Sequence, residues 1–554
     1  MKRLMLWAGL LVAAGLILVL TEKGQAVPEF LGTRLVSIVN GGGASNGDSS
    51  YPDSSHSGRY VVFESNATNL VGGDNNGVTD VFLRDMITQN VYRLSRHSNG
   101  TAGNGASQRP VVSGDGRYIA FHSAATNLVD GDTNNATDVF VHDRLTGQTS
   151  RVSVATGGAQ ANAPSYDPDI SADGRYITFW SLASNLATLD NNGKSDVFVH
   201  DRNTGQTFRV SVASNGQQGN DDSSHPTISD DGRYVAFESY ASNFVANDLD
   251  GYKDIFVHDW QGLSTIRLSV NISNAGGLGD SYDAAIAGDG SAVVFTSLAA
   301  NLVGSDTNGN PDVFLRDRVG NNTERISVDS NEAQANGTSE QAVLSDNARY
   351  VAYRSNATNL VSGDSNNIGD VFVRDRTAGT TERASLRNDG GQANDASDQP
   401  TMTANGDLVF FRSKATNLVS GDTNGARDIF ERDRRIPPPE LSSDFYIGKP
   451  GSEFLFTGRY FTPNITATVK ANEVIIGQVT ADGNGSFQFT FCYLASAPNG
   501  VAMVRVEAGA QAAEQTVRVH SDAPLRGPTG VTPLFCLANS AILDIGVNLP
   551  IIRR

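Results

Sequence analysis

The Asp of a DVF or DIF triplet stands at Asp80, Asp138, Asp196, Asp254, Asp312, Asp370 and Asp428, a step of 58 residues held through seven copies. A fixed period of this length marks a repeat architecture, in which each unit buries its faces against its neighbours. The copies can be compared with one another. An aromatic recurs 17 residues before the triplet Asp (Phe63, Phe121, Phe179, Phe237, Phe295, Tyr353, Phe411), and Ser65, Ser123 and their counterparts follow two residues later. Each period accommodates four short runs rich in Val, Ile, Phe and Tyr; in the second copy they fall near 110–113, 117–123, 138–143 and 150–154. The two middle runs are apolar on both faces, as in strands covered on both sides. Four-stranded sheets stacked around an axis supply that cover. The expected fold is all-β: a seven-bladed β-propeller of 58-residue repeats, followed by a small β-sandwich.

The last copy lacks its fourth strand, and a lone fourth-strand sequence sits near the other end, in Thr33-Arg34-Leu35-Val36-Ser37. The spacing predicts that 35–38 pairs with the strand around 428–433 and closes the ring, removing an open edge. The expected organisation is a signal peptide over 1–26, the propeller over 33–436, a Pro-rich linker over 437–440, an immunoglobulin-like sandwich over 441–521 and a tail over 522–554. The leader reading rests on Lys2-Arg3, the apolar run 4–20 and Gly24-Gln25-Ala26. An uncleaved anchor is its alternative. Two cysteines, Cys492 and Cys536, suggest one disulfide in an exported chain, with two buried thiols as the alternative.

The string PxxSxDGRYxAFxS, carried by Pro226, Ser229, Asp231-Gly232-Arg233-Tyr234 and Phe237, followed by a DVFVxDR strand, resembles the TolB-type, WD-like propeller repeat of exported bacterial proteins. The resemblance implies a secreted, periplasmic or cell-surface location. Copy five departs from it at Gly290-Ser291-Ala292 and copy seven at Gly406-Asp407-Leu408.

Net charge is −18, with 60 acidic against 42 basic residues, which argues against nucleic acid and against an anionic membrane surface. No membrane insertion is expected once the leader is cleaved. Gly43-Ala44-Ser45-Asn46-Gly47 matches GxSxG, but it lies in a Gly-rich loop between strands rather than at a strand-to-helix elbow. His142, His200 and His258 share one repeat position with Arg84, Arg316, Arg374 and Arg432. They suggest either a ring that gathers an anion or local pairing with Asp143 and Asp201. The loop before the triplet carries the candidate metal ligands: Asp130, Asp132, Asn134 and Asp138 in copy two, and Asp248, Asp250 and Asp254 in copy four. Oxygen donors at alternate positions suit Ca²⁺. The set resembles the DxDxDGxxD loops of integrin-type propellers, although no copy keeps the full pattern; its alternative is an Asx-turn. The sequence thus points to an exported binding or scaffold protein with a protein or glycan partner. A glycan hydrolase and a calcium-stabilised adhesion module are alternatives. A hydrolase needs paired acids that break the repeat at one mouth of the axis. Clustered non-repeated polar residues at one mouth would discriminate. The oligomeric state is not legible.

Overall fold

The computed structural model describes residues 32–435, 439–461, 464–482, 485–494, 499–509, 511–525 and 531–537. The expected leader lies outside them, as do half of the linker and most of the tail. The chain divides into two compact units, one through Arg434 and one from Arg435.

The first unit holds seven four-stranded antiparallel sheets. Blade two is typical: Ser107–Val112, Tyr118–Ser123, Asp138–Asp143 and Gln148–Arg151, paired in chain order. The first strand of each blade touches the first strands of both neighbours, so these seven strands surround the axis. The residues constant in the repeat form the joints between and within blades. Phe121 and Phe140 stack at 6.1 Å, and the equivalent pair recurs in all seven blades. These rings are fully buried between sheets, which is where most of the apolar stabilisation resides. The triplet Asp is a structural acceptor: Ser153 Oγ donates to Asp138 Oδ1 at 2.6 Å, tying the outer strand to the third. Asn127 bridges loops, accepting from the Asn104 N–H and donating to the Ala102 carbonyl.

The Gly-Arg-Tyr motif latches one blade to the next. Arg117 lies over the Tyr118 ring at 4.7 Å, and Arg202 of the following blade covers the same ring at 4.0 Å. Gly174 of that blade approaches so closely that a Cβ would sit 2.2 Å from Tyr118 Cδ2. Blade five has Ala292 where the Tyr belongs, and the next blade carries Ala348 where the Gly belongs, at φ 54°. Both alanines are buried in one apolar cluster. Loss of the ring makes room for the methyl group, so the departure in copy five is matched by one in copy six.

Blade seven is Ser397–Met402, Leu408–Ser413 and Asp428–Asp433, completed by Gly32–Leu35. The closing strand runs from Gly32↔Asp433 to Leu35↔Phe430. The paired residues therefore begin three positions earlier than the expected 35–38. The reason is the repeat's own geometry: Ser37 takes the role of Ser153 and donates to Asp428 at 2.6 Å, so regular pairing stops before it.

The second unit is a two-sheet sandwich. One sheet holds Glu440–Ser443, Glu453–Arg459, Phe487–Tyr493 and Leu534–Leu537; the other holds Ile447–Gly448, Gln511–Val519, Gly500–Ala508, Thr466–Ala471 and Val474–Thr480. Phe454, Phe456, Phe489, Val469, Val504 and Val517 alternate inward to form its core. The sandwich expected over 441–521 takes in a further strand, because Leu534–Leu537 pairs parallel with Phe487–Tyr493. That register sets Cys492, which is disulfide-bonded, opposite Cys536, the only other cysteine.

Candidate functional site: the variable mouth of the propeller axis

Each inner strand carries a β-bulge, seen as a register shift between Gln108 and Val111 in blade two and at the same place in the other six. One bulge residue per blade is left-handed: Tyr51 (φ 49°), Arg109 (52°), Asp167 (45°), His225 (47°), Asp283 (51°), Gln341 (56°) and Gln399 (49°). Non-glycine residues in this region carry strain of about 1–3 kcal/mol each, and such strain clusters at functional sites. The backbone repeats sevenfold while the side chains do not. These seven bulges line one cavity of about 450 Å³ on the axis. A second non-repeated ring stands behind it, one residue after each core aromatic: Glu64, His122, Trp180, Glu238, Thr296, Arg354 and Arg412.

The second ring helps to position the first: Glu64 accepts the Arg109 backbone N–H at 2.8 Å. Within the first ring, the Gln399 side chain accepts the Tyr51 backbone N–H at 2.9 Å. Asp167 is the hub on one side. It accepts from Trp180 Nε1 at 3.0 Å and lies 3.4 Å from His225 Nε2 and 3.8 Å from Arg109. His225 pairs through Nδ1 with Glu238, which also takes Ser224 at 3.2 Å and Lys253 at 3.5 Å. Glu238 Oε2 is buried without a hydrogen-bond partner. On the other side, Arg354 pairs with Glu340 and Arg412 with Asp398. Arg109 stacks on Tyr51 at 3.8 Å.

The electrostatics are uneven around the ring. Burial disfavours the His225 imidazolium, but the Glu238 hydrogen bond and charge outweigh it and hold His225 above its ordinary value. The same pairing overrides burial to hold Glu238 low. Crowding in the channel strips water from Asp283 and raises its carboxyl, with Glu238 adding to the rise. Burial depresses His122 to about 4. The mouth thus offers an anion favoured at Glu238, an imidazole held toward its charged form at His225, a carboxyl held toward its protonated form at Asp283, and aromatic faces at Tyr51 and Trp180.

The opposite end of the axis holds a smaller cavity, of about 150 Å³. His56 Nε2 lies 3.4 Å from Asp230 and Nδ1 lies 3.9 Å from Asp346. Glycine or alanine holds the other four positions of that ring, Gly114, Ala172, Gly288 and Ala404. A Cβ on Gly114 would meet the His56 ring at 2.5 Å, and one on Gly288 would meet Asp230 Oδ2 at 2.5 Å, so the small residues leave room for the three larger ones. One imidazole and two carboxylates form a donor set that divalent metals accept.

The loop residues singled out from spacing sit elsewhere, around the rim. Asp248, Asp250 and Asp254 are brought together, their oxygens within 4.8 Å of one another. Arg267 lies among them, at 3.1, 2.8 and 2.8 Å. In blade two Arg151 bridges Asp132 at 3.0 Å and Asp138 at 3.2 Å, Asn134 donates to Asp138 at 2.9 Å, and Asp130 is fully exposed beside His97. A calcium ion in either loop would compete with a guanidinium already in place. The shared His and Arg position lies in the third strands, buried in six blades and half-buried at Arg432, and forms no axial ring. His142 bonds Thr149 at 2.9 Å, while Asp143 takes Arg117, so the expected pairing with Asp143 and Asp201 does not form. Ser45 of the GxSxG string is buried and donates to Asp428, a structural role.

The usable signal was the reverse of a motif: a column in which seven otherwise parallel copies read Tyr, Arg, Asp, His, Asp, Gln, Gln.

No protein-family model matches the sequence, and no curated protein matches it. Solved structures similar in fold include a putative TolB from Agrobacterium tumefaciens, 17% identical over 50% of this chain and 79% of that one, with a TM-score of 0.33. An oligogalacturonate lyase in complex with manganese is 12% identical over 74% and 98%, with a TM-score of 0.45. A periplasmic gluconolactonase from Pseudomonas aeruginosa is 16% identical over 60% and 84%, with a TM-score of 0.32.

Proposed function

We propose that the chain is an exported binding protein that takes a polar partner, a glycan or a protein segment, at the variable mouth of its propeller. The observation that supports this is the ring of seven left-handed bulge residues, alike in backbone and different in side chain. A purely structural ring would repeat its side chains, as the Phe pairs and the Ser–Asp ties do. Aromatic faces beside convergent charged and amide groups provide stacking together with directional hydrogen bonds, the usual make-up of a specific site. Export rests on the leader read over 1–26 and on the disulfide at Cys492. The sandwich serves in this reading as an immunoglobulin-like accessory module.

Screening the purified protein against glycan and peptide arrays tests the reading. A ligand held at the mouth should lose about tenfold or more in affinity with Arg109→Ala or Asp167→Asn, the effect of removing one charged hydrogen bond. A rim variant such as Glu382→Gln should bind normally. Equal binding by all variants would refute the site. One observation favours a second reading, a glycan hydrolase: Asp283 and Glu238 interact, and their environments push their proton affinities apart. In that case Asp283→Asn abolishes turnover while leaving binding intact.

A further inference from the structure

In six blades one arginine from the outer strand enters the loop and neutralises two carboxylates. Arg93 lies 3.0 Å from Asp74 and 3.6 Å from Asp80, and Arg151 repeats this with Asp132 and Asp138. Arg209, Arg267, Arg325 and Arg383 do the same in blades three to six, at 2.8–3.7 Å. In blades three and five a glutamine adds a second donor: Gln218 and Gln334 each reach both carboxylates of their loop at 2.8–2.9 Å.

Blade seven takes its outer strand from the other end of the chain, and Leu35 occupies the arginine's place, opposite Phe430 as Arg93 is opposite Phe82. Ala44 stands where Gln218 and Gln334 stand. The carboxylates remain. Asp428 is fully buried and takes Ser37, Ser45 and Asn424. Asp422 is 7% exposed, and its Oδ1 has no hydrogen-bond partner. In blades one to four and in blade six the equivalent Oδ1 is the atom that faces the guanidinium. A buried carboxylate oxygen without a counter-charge is destabilising.

We propose that the Asp422–Asp428 pair of blade seven binds a hard metal cation in the place that a guanidinium fills in the other six blades. Two carboxylates and the surrounding hydroxyl and amide oxygens are the donors such ions prefer. The site differs from the loops singled out by spacing, in which an arginine is already present.

The test uses the full chain with Ca²⁺ and Mg²⁺ as probes. Calorimetric titration of metal-stripped protein should show one saturable site, and the melting temperature should rise with added cation relative to EDTA. Asp422→Asn should weaken binding at least tenfold. Leu35→Arg, which supplies the guanidinium in cis, should abolish the response and melt in EDTA at or above the metal-loaded wild type. Asp250→Asn and Asp132→Asn should keep the response. No binding by the wild type would overturn the proposal, as would a response that survives in Asp422→Asn or disappears only in the Asp250 or Asp132 variants. If Leu35→Arg fails to fold, the Asp422→Asn titration decides alone.

Discussion

Replacing Gly174 by Ala tests the latch between blades. Gly174 sits at φ 70°, and its Cβ would lie 2.2 Å from the Tyr118 ring. Gly205 is a matched control at φ 69°, with nothing within 4 Å of its Cβ. Both substitutions incur the left-handed penalty of an L-residue, about 1–2 kcal/mol. Only Gly174→Ala also overpacks a joint, which adds about 1–3 kcal/mol. Removing the ring by Tyr118→Ala should relieve that second term, as Ala292 and Ala348 already do between blades five and six. The double variant should therefore be about 1–3 kcal/mol more stable than the sum of the single changes implies. Chemical denaturation followed by tryptophan fluorescence and by far-UV circular dichroism gives the four stabilities needed for the cycle. Additivity within about 0.5 kcal/mol, or equal losses for Gly174→Ala and Gly205→Ala, would show that the close approach carries no energy.

Three further outcomes are expected. Starting the chain at Gly42 removes the closing strand; the product should melt lower and self-associate through the bare edge of Asp428–Asp433, detectable by light scattering, and an unchanged monomer would refute closure. Asp201 is held down to about 2, chiefly by the Arg175 hydrogen bond, so its folded pKa lies below the unfolded value. Its contribution is present above about pH 4 and is lost between about pH 4 and 2; Arg175→Ala should flatten the acid limb of the stability curve over that window. Glu238→Gln should lower the His225 titration midpoint in an NMR pH series, since Glu238 is what raises it; an unmoved midpoint would break the pairing.

The ring, its seven blades and its borrowed strand were legible because a 58-residue period exposes every joint seven times over. Phe121, Ser153 and Asn127 recur because each holds a contact that every blade needs. The candidate site was illegible for the complementary reason. Tyr51, Arg109 and Asp167 share a position but no chemistry, and only the bulge shows that they converge on one cavity. In the acidic loops, spacing reports only local neighbours. Arg93 reaches Asp74 from 19 residues further along, so the counter-charge belongs to another strand. Once that partner is known, the period itself reveals where it is missing, at Leu35.

The closing strand has a mechanical consequence. Gly32 faces Asp433, so the chain enters and leaves blade seven at the same end of one antiparallel pair. Tension between the segments flanking the ring would not shear that pair, with all its hydrogen bonds resisting together. It would load them one at a time from the Gly32–Asp433 end, each contributing only about 0.5–1.5 kcal/mol. A ring that is thermodynamically sealed by its first strand is thus built to unzip under a pull on its two ends.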